Sequence, residues 1–313
     1  MAGTSSLTRP LTLQGGHQTA IPRLIYGTAW KKAQTKALVS TALSAGFRAI
    51  DTAAQPRHYQ EHLVGEAVRT ALQSGIVASR SELYIQTKYT PVSGQDLDNL
   101  PYDPKAELEE QVRQSVESSL ENFRTDGQEE EPYLDCLVLH SPLPTIEETV
   151  RVWKAMAAYV PRQVRNLGIS NVSLPVLRAL CEVAKHEGEA LPKPAVVQNR
   201  LRMGHYQPEL YAFCRDEGIV FQSFWTLTAN PNLLKSTAAV VVAKAADVSA
   251  PVALYSLLLG LERFAILDGT TSEEHMREDL EGIEKVGLWA EAEGKEVWEE
   301  SLAHLKQAVG YTS

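Results

Sequence analysis

Cysteine is scarce in this chain and carries no pairing pattern. Cys136, Cys181 and Cys214 are widely spaced and odd in number, and no Cys-x-x-Cys occurs. That argues against a disulfide framework and a cysteine zinc site; reduced, buried thiols in a cytoplasmic protein are the expectation. Long apolar runs are also missing. None approaches the roughly 20 residues of a membrane-spanning helix, and the opening Met-Ala-Gly-Thr-Ser-Ser lacks the apolar stretch of a secretory signal. No Lys/Arg cluster offsets a formal charge of −9, so neither a nucleic acid nor a membrane is expected as a partner. Finally, there is no Gly-x-Gly-x-x-Gly turn after the first strand, which disfavours a doubly wound dinucleotide-binding sheet.

What is present is a strand–helix rhythm. The 313 residues, 44% of them hydrophobic, suffice for one large core, and no linker divides them. Residues 1–10 read as a disordered tail. Leu11 to Ile21 carries Gly15-Gly16 between β-like runs, a hairpin signal. Strands are then expected at Leu24–Tyr26, Phe47–Ile50, Leu83–Thr87, Leu134–Leu139, Val164–Ile169, Ala195–Gln198, Ile219–Phe224 and Phe264–Leu267. Helical periodicity follows each, over 34–45, 60–73, 105–122, 145–159, 173–186, 207–217, 249–259 and 272–284. A long Asn/Pro-bearing loop precedes the seventh helix, and Asp126 to Glu131 reads as a solvated acidic loop. Eight such units specify a single α/β domain, a (β/α)8 TIM barrel. A C-terminal extension, 286–313, adds a helix over 290–308 with Trp298, Leu302 and Leu305 on one face.

In such a barrel, functional groups gather where strands end. Asp51 ends the second strand, Lys88 the third and His140 the fourth, while Tyr59 lies in the loop after the second. Each alone has a plain structural role to offer: a helix cap, a solvated ammonium, a satisfied polar ring. Three ionisable residues at three successive strand ends are harder to dismiss. Together they suit carbonyl reduction. A ketone that accepts hydride builds negative charge on oxygen, which must be protonated. A phenol, with a free pKa of about 10, can supply that proton once an ammonium stabilises its phenolate. Asp51 would hold Lys88 charged, and His140 would hydrogen-bond the carbonyl oxygen. No side chain supplies hydride, so a cofactor is required.

At this point the chain resembles the aldo-keto reductases. The resemblance runs from about Ile21 to Leu280. It rests on Gly46-Phe-Arg-Ala-Ile-Asp51-Thr-Ala, on Tyr59 with Glu61 and Val64-Gly65-Glu66-Ala67, on Ile85-Gln-Thr-Lys88, on Leu134-Asp-Cys-Leu-Val-Leu-His140, and on Leu167-Gly-Ile-Ser-Asn171. It implies the Asp51/Tyr59/Lys88/His140 tetrad and an extended NADPH. Thr28 and Ala29 would touch that cofactor beside Asp51. Ser170, Asn171 and Gln198 would hold the nicotinamide amide, Phe224 would stack on its ring, and Trp225 and Leu227 would follow.

Three departures from the family pattern stand out. Tyr59 lies eight positions after Asp51, with Gln55-Pro56-Arg57 as added loop; a microbial subgroup of the family resembles it there. The stacking aromatic is Phe224 rather than Tyr. The phosphate-binding segment reads Leu267-Asp268-Gly269-Thr270, so the family's lysine is lost to Gly269. Thr270, Thr271 and the helix N-terminus could still donate to phosphate. His275 takes the position of the family's arginine, with Arg277 two residues on, Glu278 matches an adenine contact, and Asp279 replaces an asparagine. NADPH is the first expectation, and the loss of the lysine opens NADH.

Trp30, Tyr89 and Trp225 are candidate walls of the substrate pocket, with Trp289 and Tyr311 as candidates from the C-terminal segment. Such a mouth favours a bulky, hydrophobic carbonyl compound. Two other readings fit the same residues: a cofactor-sensing regulatory subunit, and an isomerase or lyase in which Tyr59 and Lys88 work without redox.

Overall fold

The computed structural model describes residues 4–125, 131–188 and 191–311. The chain begins with a small antiparallel hairpin, β1 (Leu11–Thr12) and β2 (Ala20–Ile21). Alternating strands and helices follow: β3 (Leu24–Gly27), α1 (Thr35–Ala45), β4 (Ala49–Asp51), α2 (Glu61–Gln73), β5 (Tyr84–Tyr89), α3 (Leu108–Asn122), β6 (Cys136–Leu139) and α4 (Ile146–Ala157). The second half continues with β7 (Leu167–Ser170), α5 (Leu174–Glu187), β8 (Val196–Arg200), α6 (Pro208–Asp216), β9 (Val220–Phe224), α7 (Pro231–Leu234), α8 (Thr237–Ala245), α9 (Ala250–Leu259), β10 (Phe264–Asp268), α10 (Glu273–Ala290) and α11 (Lys295–Ala308).

Strands β3 to β10 close into a parallel barrel in sequence order, β10 pairing back to β3. This is the (β/α)8 barrel expected, with the N-terminal hairpin and the extra C-terminal helix in place. Each strand buries both faces, which is why they read as apolar runs rather than alternating ones. One face packs on the helices. The other fills the barrel, where Ile25, Ala49, Val138, Val196 and Val220 form an apolar floor. Leu13 and Ile21 of the hairpin join that floor, so the hairpin plugs the N-terminal end of the barrel.

Turn chemistry explains where the second strand starts. Gly46 ends α1 with φ 118° and donates to the carbonyls of Ala42 and Leu43. Only glycine adopts that backbone conformation without steric cost. The chain then enters β4 directly, which places Asp51 at the rim.

Four expectations are corrected. Residues 5–9 are not a loose tail. Leu7 is buried in the core, and the Ser5 backbone N–H and hydroxyl both donate to Glu284 of α10, at 3.0 and 2.8 Å. The loop before α9 contains α7 and α8; Ser236 caps α8 by accepting from Ala239 N–H. The α11 helix packs on α8 and α9, with Leu305 buried. Tyr311 packs on Tyr211 (centroids 5.9 Å apart), whose hydroxyl bonds the Glu262 carbonyl just before β10. Trp289 lies in the last turn of α10, beside Gly294. Both aromatics therefore sit at the end of the barrel opposite the mouth. The acidic run from Asp126 lies outside the described residues up to position 130. Among the described residues no single helix is long and apolar enough to cross a membrane.

Candidate active site

At the C-terminal rim, Asp51 and Lys88 from neighbouring strands form a fully buried ion pair, Nζ to Oδ2 2.6 Å. The ammonium also donates to the Thr52 carbonyl at 2.7 Å. The other carboxylate oxygen, Oδ1, accepts from Gln86 Nε2 at 2.7 Å and Gln198 Nε2 at 2.9 Å. Those two amides are held by Gln222, whose Oε1 accepts from both at 2.8 and 2.9 Å. A buried ion pair is retained only when its remaining hydrogen-bonding capacity is filled, and here Gln86, Gln198 and the Thr52 carbonyl fill it, with Gln222 bracing the two amides. Gln86 and Gln222 were not expected from the sequence. The signal was there in β5, since Gln86 precedes Lys88 by two and strand periodicity turns both inward.

Tyr59 depends on the added loop. Gln55 O accepts the backbone N–H groups of His58 and Tyr59, at 3.1 and 3.0 Å, closing a turn with Pro56 at its second position. The turn returns the tyrosine to the rim. Lys88 Nζ lies 4.8 Å from its ring centroid, close enough for the ammonium to act on the phenol electrostatically. Glu61, at the start of α2, anchors this helix by accepting from Thr87, Ser119 and Asn122. His140 stands edge-on to Tyr59, centroids 6.0 Å apart, with Nδ1 2.7 Å from the Thr90 hydroxyl.

The electrostatics divide cleanly. Burial works against the Lys88 charge, but Asp51 and Tyr59 outweigh it and its pKa is raised. Burial, helped by the Lys88 charge and His58, holds His140 down to about 3, so its imidazole is neutral at pH 7. Tyr59 shows a correction. Lys88 lowers the phenol's pKa as expected, yet burial is the larger influence and the net shift is upward. In this cavity the tyrosine is a proton-bearing donor rather than a phenolate. The Thr90 hydroxyl can donate to Nδ1; in that tautomer His140 Nε2 carries the proton, and the rim presents two donors to one carbonyl oxygen.

These groups floor a cavity of about 880 Å³, within the range of small-molecule sites. Trp30, Phe224 and Trp225 line it, as do Ala29, Ser170, Asn171, Gln198 and Leu227. So do Gly269, Thr270, His275, Glu278 and Asp279 on the β10 side. Besides Trp289 and Tyr311, four of the expected residues do not line it. Lys88 lies beneath the floor. Thr28 is buried, its hydroxyl bonded to the Asp51 carbonyl at 2.9 Å. Tyr89 is buried behind the rim, its hydroxyl 3.3 Å from Gln111 Oε1 and its ring against Tyr102. Thr271 is exposed outside the cavity. Tyr89 faces outward because it follows Lys88 by one residue in β5, and successive side chains point to opposite faces.

Several lining residues escaped sequence reasoning. His58 stacks on Trp30 with centroids 3.7 Å apart, and Arg200 covers the Trp225 ring at 4.0 Å. Trp30, Asn171 and Trp225 all have left-handed backbones, φ 66°, 53° and 57°. Non-glycine residues in that region mark strained, over-determined loops, which cluster at binding sites. Of nine buried side-chain polar atoms without a partner among the described residues, four belong to this cavity: Gln55 Oε1, His58 Nδ1, Ser249 Oγ and Asp268 Oδ2. Native interiors rarely leave such atoms unpaired, and their concentration here fits a polar ligand.

A family model described as the Aldo/keto reductase family matches residues 16–240, more than half of the chain. This chain belongs to the aldo/keto reductase family. It is similar to the glycerol 2-dehydrogenase (NADP(+)) of Hypocrea jecorina, 28% identical over 69% of this chain and 68% of that protein. It is likewise similar to a methylglyoxal reductase of Escherichia coli O157:H7, 27% identical over 77% of this chain and 79% of that one. Its fold matches the crystal structure of an aldo/keto reductase from Brucella melitensis with a TM-score of 0.67 at 21% identity, covering 88% of this chain and 99% of the other. As an aldo-keto reductase the chain is an oxidoreductase of carbonyl compounds, of a family that uses NAD(P)H.

Proposed function

We propose that this aldo-keto reductase reduces an aldehyde or ketone to the alcohol, with Tyr59 as the proton donor. The observation that carries this reading is the Lys88 ammonium 4.8 Å from the Tyr59 ring, with Lys88 fixed on Asp51 and a neutral His140 alongside.

A reduced nicotinamide dinucleotide fits the cavity's volume, its partnerless polar atoms and the Phe224 ring. When bound, it supplies the hydride. The protein's residues do the rest. Phe224 offers an apolar ring face to a planar base, and Asn171 and Gln198 offer amide oxygens beside it. The carbonyl oxygen of the substrate sits between Tyr59 and His140. His140 Nε2–H orients it and stabilises developing negative charge. The Tyr59 proton moves to that oxygen, and the resulting phenolate is stabilised by the Lys88 ammonium, which Asp51 keeps charged and in place. The glutamines beneath Asp51 fix its orientation.

The outer mouth is aromatic. Trp30 with His58 on one side and Phe224 with Trp225 on the other support a bulky, hydrophobic carbonyl compound as substrate. Their exposure, 57% for Trp30 and 49% for Trp225, leaves large ring faces to be covered by such a compound. The test is oxidation of reduced dinucleotide in the presence of a panel of aromatic and aliphatic aldehydes. Faster turnover of the aromatic members supports the substrate class. Absence of turnover with every member, at saturating dinucleotide, overturns the reading.

A further inference from the structure

The eight-stranded ring puts β10 four strands from β6, and so across the mouth from His140. If the nicotinamide lies against Tyr59 and His140, the adenosine end of the dinucleotide reaches the β10 side. What lines that side is acidic. Asp268 at the end of β10 and Asp279 in the second turn of α10 are 3% and 5% exposed, and Glu278 lies beside them.

Asp268 Oδ1 accepts the Thr270 backbone N–H at 3.0 Å, but Oδ2 has no donor unless one of the two carboxyls carries a proton. Burial, the Asp268 charge, the hydrogen bond to Asp268 and Glu278 push Asp279 up to about 8, so at neutral pH the pair shares one proton and keeps one negative charge.

The cations nearby are already committed. Lys31 is buried and donates to the Gly269 and Thr270 carbonyls. Arg277 lies outside the cavity, paired to Glu273 at 2.7 Å. The N-terminus of α10 is partly capped and carries acids: Ser272 accepts the His275 backbone N–H, Thr270 accepts that of Ser272, and Glu273 and Glu274 occupy the first turn, where their charge opposes a further anion. Arg200 lies two strands away on Trp225, where it suits the diphosphate that NADH and NADPH share. Among the described residues that line this side, His275 is the one basic side chain left to meet a further anion.

We propose that the buried Asp268–Asp279 pair reads the adenosine ribose, accepting hydrogen bonds from its free hydroxyls and excluding a 2′-phosphate, so that this reductase uses NADH in preference to NADPH. The proposal rests on the cavity being a dinucleotide site. Its chemistry is simple. A ribose hydroxyl is a donor whose hydrogen bond an acidic group lining the cavity can accept. A 2′-phosphate is an acceptor bearing negative charge, and like charges forced together across a buried contact cost several kcal/mol.

The test is a fluorescence titration of the purified chain with each dinucleotide, read from quenching of its tryptophans and requiring no turnover. NADH is expected to bind at least about tenfold tighter than NADPH. AMP should displace NADH, and adenosine 2′,5′-bisphosphate should do so at least about tenfold more weakly, which isolates the adenosine end. Asp268→Asn and Asp279→Asn should each narrow the NADH-to-NADPH ratio. Equal or tighter binding of NADPH by the unaltered chain overturns the proposal, and that measurement stands even if both variants fail to fold. A ratio unchanged in both folded variants overturns the assignment to this pair. Binding of neither dinucleotide overturns the cofactor-site reading itself.

Discussion

The two sides of the mouth solve opposite electrostatic problems with similar parts. On the β4–β6 side, a carboxylate and an ammonium meet 2.6 Å apart in the interior. Each stabilises the other's charge, and three glutamines and a backbone carbonyl complete the set. On the β10 side, two carboxyls meet instead. Neither can stabilise the other's charge, so one is neutralised by a proton. Burial is similar in the two places; the partner decides. A buried pair of unlike charges holds its charges and serves as fixed electrostatic machinery. A buried pair of like groups becomes a titratable element that recognises ligands by which protons they bring.

The comparison can be broken at several points. The largest effect is expected for Tyr59→Phe. Removing one hydroxyl from the charged side should cut turnover by a factor of about 10² to 10⁴ while dinucleotide affinity, read by fluorescence, changes little. Substantial carbonyl reduction by that variant removes Tyr59 as the acid.

Lys88→Met comes next. It leaves Asp51 buried without its counter-charge and should cost about 3 to 5 kcal/mol in urea unfolding. A loss below about 1 kcal/mol would show that the glutamines alone can hold the carboxylate.

The third test sharpens the contrast through pH. The folded chain holds the Asp279 proton from the unfolded value of 3.8 up to about 8, so stability is lost as pH rises through that window. His140 runs the other way. Its pKa of about 3 lies below the usual 6.5, so stability is lost as pH falls through that range. The two oppose each other up to pH 6.5, and between 6.5 and 8 Asp279 acts without that opposition. Unfolding free energy should drop by about 2 kcal/mol across that interval, and Asp279→Asn should flatten the drop. An identical slope in the variant refutes the shared proton.

The smallest effect concerns the aromatic rim, where neither pair acts directly. His58→Ala removes the stacking partner of Trp30 and should raise KM for an aromatic aldehyde about threefold to tenfold, with a smaller change for a short aliphatic one. Equal changes for both would argue against a selective aromatic wall.

The charged side was largely legible in the sequence. Asp51, Lys88 and His140 end three consecutive strands, and a barrel brings strand ends together whatever its loops do. Tyr59 was legible only through the residues that follow it, because the turn that returns it is formed by backbone groups of Gln55. The β10 side was half legible. The lost lysine at Gly269 could be seen, but the meeting of Asp268 with Asp279 depends on the angle at which α10 leaves the rim. Gln222 was hidden for a related reason: a glutamine in an apolar strand declares nothing until the barrel closes and shows which groups face it. Trp289 and Tyr311 were misplaced because the course of a C-terminal segment depends on the surface it finds. Here α8, unseen in the Asn/Pro-bearing loop, provides that surface.

The position of Tyr311 has a practical side. Tyr311, in the segment that follows α11, packs at the hairpin-plugged end of the barrel, away from the residues that line the mouth. A protein tethered to an electrode or bead through that segment would present its catalytic face outward, with every molecule oriented alike. Attachment through surface residues of the rim would instead seal the mouth against the support.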